Sequence, residues 1–480
     1  MPKKEDLIYF LSLELENVRC FGSPMQPLYL TDEYGNPARW TLLLGENGLG
    51  KTTLSECLLW MQFVPSAAGV AKDHDNPAEG ITEGPMEPSL PEAANDLIEG
   101  FIRNGCDELE IKATFSQGIP LGRKMSKNEP SLPIRTAINI LFKDKKIDDF
   151  KIHKNENSRI EDILGGKYKE PFVITYGANR AIGAIRIKDD ELESYDSRSN
   201  FLYDRLSGKT ELYNPEEILS FYETKALKSR GKRPKNGKDT HEEELFNDFK
   251  QIIADILPID EINIKDIKVD EGLIYINTFS GKEIPFSALS FGYQSTIALT
   301  IDIAWRLSQK YPKSETPRNE PATIFIDEVD LHLHPRWQRT IVEKLSSIFT
   351  GAQFIATSHS PLMVQAAKHV NLAVLQKTGD KVCIENELET VFGWRVDQLR
   401  VDQILYSPIF GIDHSRGPES EKLFSDRANL LKKTKLTAKD KIRLSEISDE
   451  ISDLPISSDL EELSFLRKAA ELKNKHTEKQ

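Results

Sequence analysis

Cysteine is scarce in this chain, and the few cysteines present are not paired. Only four occur among 480 residues, and no two of them form a Cys-x-x-Cys pair. This pattern disfavours a disulfide framework or a cysteine-based zinc site and is typical of a protein from a reducing compartment. The four cysteines are Cys20, Cys57, Cys106 and Cys383.

Long apolar runs and an excess of positive charge are also missing. No stretch reaches the roughly 18 apolar residues that a membrane span requires. The segment from Met1 to Asp6 turns acidic before any run that resembles a signal peptide. We therefore expect a cytoplasmic protein without membrane spans. The 63 basic and 76 acidic side chains give a net charge of −13, so any nucleic-acid contact must be local.

The sequence has no internal repeat. It also has no long heptad run, which excludes a long coiled-coil arm. Short, continuous apolar runs instead predict buried strands of a parallel sheet, separated by helical patterns. The predicted strands include 11–16, 41–44, 108–115, 137–142, 171–176, 323–326 and 353–356, with further strands between 262 and 278. The predicted helices include 52–63, 293–309 and 336–349. We expect an α/β fold with a mixed sheet.

This pattern predicts four regions along the chain. The first, residues 1–65, is the N-terminal lobe of the core, and residues 261–375 form its C-terminal lobe. Between them, residues 66–260 form an insertion that opens with a proline- and glycine-rich loop and becomes charged and helical from about residue 190. Residues 376–480 form a charged, helical extension that we expect Pro455 to divide, and they are the candidate docking region for a partner.

The segment Gly45–Thr52 matches the P-loop pattern G-x-x-x-x-G-K-[ST] at every fixed position. A buried strand precedes it and a helical pattern follows it, which is the context that the pattern requires. Glycines allow the backbone to approach phosphates, Lys51 is expected to reach the β- and γ-phosphates of ATP, and Thr52 is expected to ligate Mg²⁺. The candidate nucleotide-binding residues here are Asn47, Gly48, Gly50, Lys51, Thr52 and Thr53.

The predicted strand 323–326 ends in two adjacent carboxylates, Asp327 and Glu328. In open α/β sheets, ligands bind at the carboxyl ends of the strands. Downstream of a P-loop, we expect Asp327 to hold Mg²⁺ through water and Glu328 to act as the general base for the attacking water. An apolar strand that ends in acidic residues is weak evidence alone, and its position after a complete P-loop gives it weight.

Two further motifs complete an ordered set. Leu289-Ser290-Phe291-Gly292 opens the predicted helix before the Asp327 strand, and His359 follows the strand 353–356. A serine and backbone amides at a helix N-terminus are suited to binding phosphate. Alternatively, Ser290 is an ordinary N-cap, and a histidine at a strand end is structural.

The order of P-loop, Leu-Ser-x-Gly, acidic strand end and histidine resembles that of ABC-type ATPases. The resemblance implies that Ser290 and Gly292 contact the γ-phosphate of ATP bound to the opposite protomer of a homodimer or higher homo-oligomer. It also implies that His359 senses the γ-phosphate. No Q-loop glutamine is evident, although the segment Tyr176–Arg180 lies about where that loop is expected.

The segment from Asp327 to Pro335, with the form D-E-x-x-x-H-L-H-P, resembles the RecF, Rad50 and OLD branch of these ATPases. His332 and His334 are poor zinc ligands because no third ligand lies nearby, and we interpret them as the D-loop at the dimer seam. The segment Glu16–Phe21 and the tail from Asp402 to Asp413 resemble PtuA-type ATPases of Septu and retron anti-phage systems.

In those systems the ATPase works beside an HNH nuclease. After His359 the chain has neither the glutamate and Asp-x-Asp of a Toprim nuclease nor an HNH-like cluster of histidines. We therefore expect a regulatory ATPase whose separate partner is the nuclease; the alternative is a RecF- or Rad50-like ATPase that clamps DNA directly. The basic stretch Lys225–Lys238 is either a nucleic-acid-contacting loop or an ordinary solvated one.

Overall fold

The computed structural model describes most of the chain between Leu7 and Ser452. The described residues are 7–67, 100–117, 121, 134–143, 146–154, 171–183, 211–230, 239–257, 264–270, 272–366, 370–386, 399–405, 407, 410, 417–433 and 437–452. Their strands are β1 (Ile8–Glu16), β2 (Gln26–Tyr29), β3 (Trp40–Leu44), β4 (Glu108–Gln117), β5 (Ile134–Lys143), β6 (Lys146–Lys154), β7 (Val173–Tyr176), β8 (Ile264–Asp270), β9 (Leu273–Thr278), β10 (Glu283–Pro285), β11 (Ala322–Ile326), β12 (Ala352–Thr357), β13 (Asn371–Thr378) and β14 (Lys381–Glu385). Their α-helices are α1 (Lys51–Ala67), α2 (Pro215–Ser229), α3 (His241–Ile256), α4 (Phe291–Lys310), α5 (Pro335–Gln338), α6 (Ile341–Ile348), α7 (Pro361–Ala366), α8 (Val401–Leu405), α9 (Pro418–Leu431) and α10 (Ala438–Ser452).

A six-stranded sheet forms the centre of the larger unit, in the order β14-β13-β3-β12-β11-β7. Every residue of β3, β7, β11 and β12 is buried, as expected of parallel strands covered on both faces. Five strands run parallel, and β14 pairs antiparallel with β13. The predicted α/β fold with a mixed sheet is confirmed. The carboxyl ends of β3, β12, β11 and β7 therefore lie along one edge.

A second, antiparallel sheet has the order β2-β1-β4-β5-β6. It shares one apolar core with α1 and the central sheet, and the core includes Phe10 of β1, Leu43 of β3, Leu58 of α1 and Phe325 of β11. Fully burying such side chains contributes about 1.5–3 kcal/mol each. The buried amide of Gln353 joins the two sheets, since it accepts a hydrogen bond from the Phe10 N–H and donates one to the Phe10 carbonyl oxygen.

A third region carries α2, α3 and the antiparallel sheet β10-β9-β8. The helices pack against each other and against α4, the helix that begins with the Leu-Ser-x-Gly motif. A complete capping box fixes the start of α3, because Thr240 and Glu243 exchange side-chain-to-backbone hydrogen bonds. This packing fixes the direction of α4 within the larger unit.

Three sequence expectations on helices are wrong in detail. The predicted helix 336–349 is two helices, because the Thr340 N–H bonds to the Trp337 carbonyl only three residues back and ends α5. Helix α1 extends to Ala67, beyond the predicted end at residue 63, and includes Pro65. The basic stretch from Lys225 does not begin as a loop, because residues up to Ser229 belong to α2.

Several expectations fall outside the described residues. These are most of the proline- and glycine-rich stretch after Ala67, residues 231–238 of the basic stretch, residues 190–210 and the region around Pro455. The division into four regions stays a prediction. By its contacts the chain forms two compact units, one up to Ile404 and one from Leu405 onward. In the second, α9 packs against α10, and the break between them precedes Pro455. None of the described helices is long and apolar enough to cross a bilayer.

Candidate nucleotide site

The P-loop joins β3 to the first residue of α1 and depends on glycine at two tight places. Gly45 has a φ of +143°, and a Cβ there would lie 2.7 Å from the Leu375 carbonyl oxygen. Gly50 has a φ of +88°, and a Cβ there would lie 2.4 Å from the Cys20 sulfur. Any side chain would therefore clash and strain the backbone. The loop closes directly on helix α1, whose first N–H groups are unpaired within the helix and suited to an anion.

Lys51 begins α1, and its ammonium group lies inside the loop. It donates a hydrogen bond to the Gly45 carbonyl oxygen at 2.8 Å and contacts Nε2 of His359. Because an ammonium group can only donate, Nε2 of His359 must accept, which requires a neutral imidazole. The P-loop lysine and the histidine 308 residues away therefore meet at one point.

The electrostatics of this pair agree with the geometry. Burial lowers the pKa of Lys51, while the nearby carboxylates of Asp327 and Glu328 act in the opposite direction. Burial and the neighbouring Lys51 charge lower the pKa of His359. A neutral imidazole at neutral pH follows, as the contact with the ammonium group requires.

Asp327 lies at the carboxyl end of β11 and is buried, with 8% of its surface exposed. Its two carboxylate oxygens accept hydrogen bonds from two hydroxyl groups, that of Thr52 at 3.2 Å and that of Thr357 at 2.5 Å. Thr52 and Asp327 thus present two hard oxygen donors toward each other, which is the ligand chemistry that Mg²⁺ prefers. Both predicted metal ligands converge, and they fit a bound Mg²⁺.

The other predicted P-loop residues have different surroundings. Asn47 and Gly48 are exposed, Gly48 with a φ of +82° and open space around it. Thr53 is buried, and its hydroxyl accepts a hydrogen bond from Arg19 at 3.4 Å, away from Asp327. Asn47 and Gly48 are therefore accessible to a nucleotide, whereas the Thr53 side chain supports the start of α1.

The Leu-Ser-x-Gly motif occupies the N-terminus of α4. Ser290 is the N-cap residue, but its exposed hydroxyl makes no capping hydrogen bond. Gly292 is required locally, because a Cβ there would lie 2.4 Å from the carbonyl oxygen of His332. Ser290 therefore occupies the N-cap position without capping the helix through its side chain. Its hydroxyl is free to contact another group.

The two histidines of the D-E-x-x-x-H-L-H-P segment have local contacts. The ring of His332 packs edge-on against Phe291, with centroids 4.8 Å apart, and its φ is +63°. The Nδ1 of His334 accepts a hydrogen bond from the Arg336 N–H and caps α5. Among the residues that the structure describes, no group of three or more His, Cys, Asp or Glu side chains is placed to hold a metal ion.

Sequence reasoning missed two residues beside the acidic strand end. The Arg180 guanidinium, which follows β7, donates to the main-chain carbonyl oxygens of both Asp327 and Glu328. The Thr357 hydroxyl accepts a hydrogen bond from the Glu328 N–H at 2.7 Å. The sequence singles out the segment Tyr176–Arg180 only because it lies about where a Q-loop is expected. No residue pattern signals a contact with a carbonyl oxygen, because every residue has one.

Three features together define a P-loop nucleotide-binding protein. They are a loop that requires glycines, a lysine inside that loop, and a buried aspartate at a strand end that faces the first threonine of α1. The family described as "AAA domain, putative AbiEii toxin, Type IV TA system" matches residues 41–364, which is more than half of the chain. The chain belongs to this family. The predicted identification as an ABC-type P-loop ATPase is confirmed.

Two curated relatives match over most of this chain. The "Retron Vc95 probable ATPase" of Vibrio cholerae is 26% identical over 401 residues, which are 77% of this chain and 75% of that protein. The "Septu protein PtuA" of Bacillus mycoides is 24% identical over 421 residues, 86% of this chain but only 46% of the relative. The predicted resemblance to PtuA-type and retron ATPases is confirmed.

Solved structures also resemble the fold. The Smc head domain of Pyrococcus furiosus, in a crystal structure with the C-terminal domain of ScpA, is 16% identical with a TM-score of 0.41. The match covers 81% of this chain and 98% of that one.

Proposed function

We propose that this chain binds ATP with Mg²⁺, hydrolyses it, and acts as the ATP-dependent regulatory subunit of an anti-phage defence complex. The observation that carries the first part is the meeting of Lys51, Thr52, Asp327 and His359. They come from three segments far apart in the sequence, yet they contact one another at the carboxyl edge of the central sheet.

Each residue has one task in this proposal. Lys51 and His359 face the γ-phosphate, and Lys51 neutralises its charge. Thr52 and Asp327 hold Mg²⁺, which neutralises phosphate charge when bound. Glu328, the next residue after Asp327, accepts the proton of the attacking water. Asn47, Gly48 and Gly50 shape the loop around the phosphates.

The proposed site is completed by a second copy of the chain, which presents Ser290 and Gly292 to the γ-phosphate. The support is local: the Ser290 hydroxyl is exposed, unused as a cap, and placed at the N-terminus of a 20-residue helix. Such a helix end favours negative charge. ATP binding would then join two copies, and hydrolysis would release them.

Replacing Ser290 with arginine is expected to leave ATP binding by the same chain intact and to block ATP-driven pairing, because the bulky side chain fills the contact. We would measure mass by light scattering with ATP in a Glu328→Gln background, where bound ATP persists. Ser347→Arg, at an exposed serine of α6, is the matched control and should pair normally. Pairing of the Ser290→Arg variant at wild-type strength would contradict the composite site.

The defence role rests on the relatives, whose names place them in retron and Septu systems. In our proposal this chain holds or releases a separate nuclease of the HNH type. After His359 the chain contains no recognisable Toprim motif, and the sequence has no HNH-like cluster of histidines. The basic residues Lys225 and Lys228 of α2 are a candidate nucleic-acid contact, which would be local on a chain with net charge −13.

The purified chain alone is therefore expected not to cleave nucleic acid. Plasmid, linear DNA and tRNA would be incubated with it in Mg²⁺ or Mn²⁺, with and without ATP, and no product above buffer controls is expected. A commercial nuclease added to parallel samples would confirm that the substrates are cleavable. Cleavage that survives stringent purification and disappears when acidic residues of this chain are mutated would overturn the separate-nuclease proposal.

A further inference from the structure

Glu328, the proposed general base, has a backbone conformation that its residue type disfavours. Its φ is +47°, in the left-handed region. For residues other than glycine this region is sparsely populated, because the Cβ crowds the following carbonyl group. Such conformations persist only where the surrounding structure holds them, and they concentrate at functional sites.

Arg180 and Thr357 bind every polar group of the two peptide units that flank Glu328, and the Leu331 N–H also donates to the Glu328 carbonyl oxygen at 3.0 Å. Arg180 donates to the carbonyl oxygen of Asp327 and, at 2.9 Å, to that of Glu328. Thr357 accepts the Glu328 N–H with its hydroxyl at 2.7 Å and the Val329 N–H with its carbonyl oxygen at 3.0 Å. Both peptide planes are therefore fixed, and with them the direction in which the Glu328 side chain leaves the backbone.

The chemistry of Arg180 is suited to this task. Only 9% of its surface is exposed, and burial lowers the pKa of its guanidinium group. One rigid, planar fork reaches two neighbouring carbonyl oxygens, which a single lysine ammonium on a flexible stem does not reproduce. The nearby carboxylates of Asp327, Glu328 and Asp330 act on the pKa of Arg180 in the opposite direction and stabilise its charge. Its hydrogen bonds nevertheless go to main-chain carbonyl oxygens next to the proposed base.

The segment that carries Arg180 is itself anchored. The Tyr176 carbonyl oxygen accepts the Asp327 N–H at 2.8 Å, and the Tyr176 hydroxyl donates to buried Asp302 of α4 at 2.6 Å. Asp302 also accepts a hydrogen bond from Arg306 at 2.6 Å. The end of β7 is thereby tied both to β11 and to the helix whose N-terminus carries Ser290.

We infer that Arg180 and Thr357 form a clamp that positions Glu328 for hydrolysis, and that Arg180 contributes little to nucleotide binding. This inference rests on the proposed role of Glu328 as the general base. Arg180 is a positioning residue, since it acts on the base through the main chain. Variants of Arg180 test the clamp more directly than variants of Thr357, because Thr357 also donates a hydrogen bond to the carboxylate of Asp327, a proposed Mg²⁺ ligand.

The decisive variant is Arg180→Lys, which keeps the positive charge and removes the fork. We expect kcat for ATP hydrolysis to fall about 100-fold, the loss typical of misplacing a catalytic group by about 1 Å, with the Kd for ATP unchanged. Arg39→Lys is the matched control, since Arg39 is half-buried and also donates to two main-chain carbonyl oxygens, far from this site. Its kcat should equal that of the wild type.

Three further measurements test the clamp. In a Glu328→Gln background, Arg180→Lys should cause no additional loss of kcat, because the base it positions is already gone. Hydrogen exchange should accelerate at the Glu328 and Val329 amides of Arg180→Lys and remain unchanged in β3 and β12. Thr357→Ser, which keeps the hydroxyl, should retain activity, whereas Thr357→Val should lose it.

An unchanged kcat in Arg180→Lys, an equal loss in Arg39→Lys, or a further 100-fold loss in the Glu328→Gln background would overturn the clamp as a device for hydrolysis. A wild-type chain that binds ATP but never hydrolyses it would overturn the proposed ATPase function instead. The exchange rates at Glu328 and Val329 would in that case still decide whether Arg180 holds the backbone.

Discussion

Replacing Glu328 with glutamine is expected to lower kcat for ATP hydrolysis by about 10²–10⁴, the usual contribution of a general base. Glutamine keeps the size of the side chain and the hydrogen bonds of the backbone, but it accepts no proton from water. Since Lys51, Thr52 and Asp327 are untouched, the variant should bind ATP with wild-type affinity and keep it bound.

Turnover would be measured by phosphate release and binding by calorimetry on the same preparations. Glu343→Gln is the matched control, because Glu343 is an exposed carboxylate on α6 that lies outside the site. Full activity in Glu328→Gln would assign the base to another residue. A loss of ATP binding in the same variant would show that the carboxylate acts on the nucleotide itself.

Replacing Lys51 with alanine is expected to weaken ATP binding by about 10- to 100-fold. A hydrogen bond to a charged group contributes about 1.5–3 kcal/mol, and 100-fold in Kd corresponds to about 2.7 kcal/mol. Lys51 is almost fully buried, with 7% of its surface exposed, so no nearby solvent shell compensates for the lost cation. The variant should also lose all turnover.

Calorimetric titration with ATP in Mg²⁺ measures the effect, and Lys282→Ala is the control because Lys282 is an exposed lysine in the turn after β9. The melting temperature of both variants should be compared without nucleotide, since Lys51 also bonds to Gly45 within the loop. Equal ATP affinity in Lys51→Ala and wild type would remove the P-loop from the proposed mechanism.

The parts of the site that the sequence predicts are those with a local pattern. The backbone requires glycine at positions 45 and 50, so the pattern of residue types is enough to predict the P-loop. Asp327 follows a fully buried strand, and the resemblance to ABC-type ATPases implies that His359 lies near the phosphate that Lys51 reaches. These features depend on neighbours along the chain or on the alignment of strand ends, and both are encoded in short segments.

The parts that the sequence does not predict arise from contacts through the main chain and from packing. Nothing in the residue type of Glu328 signals a left-handed backbone, and nothing in Asp327 signals that its carbonyl oxygen binds Arg180. The break between α5 and α6 depends on a hydrogen bond from the Thr340 N–H to the carbonyl oxygen of Trp337, three residues earlier in the chain. The sequence also does not predict that the Ser290 hydroxyl makes no capping hydrogen bond, because serine is a frequent N-cap residue whose side chain usually makes one.

In the proposed mechanism, one chain binds ATP in its P-loop and a second chain completes the site with Ser290. Mixing the Lys51→Ala and Ser290→Arg variants tests it most directly, because neither is expected to hydrolyse ATP alone. In a mixed pair, the Lys51→Ala chain supplies an intact Ser290 to the intact P-loop of the Ser290→Arg chain. We predict that turnover reappears on mixing and is greatest near equal amounts of the two. Turnover that stays at the level of the separate variants at every ratio would contradict the composite site.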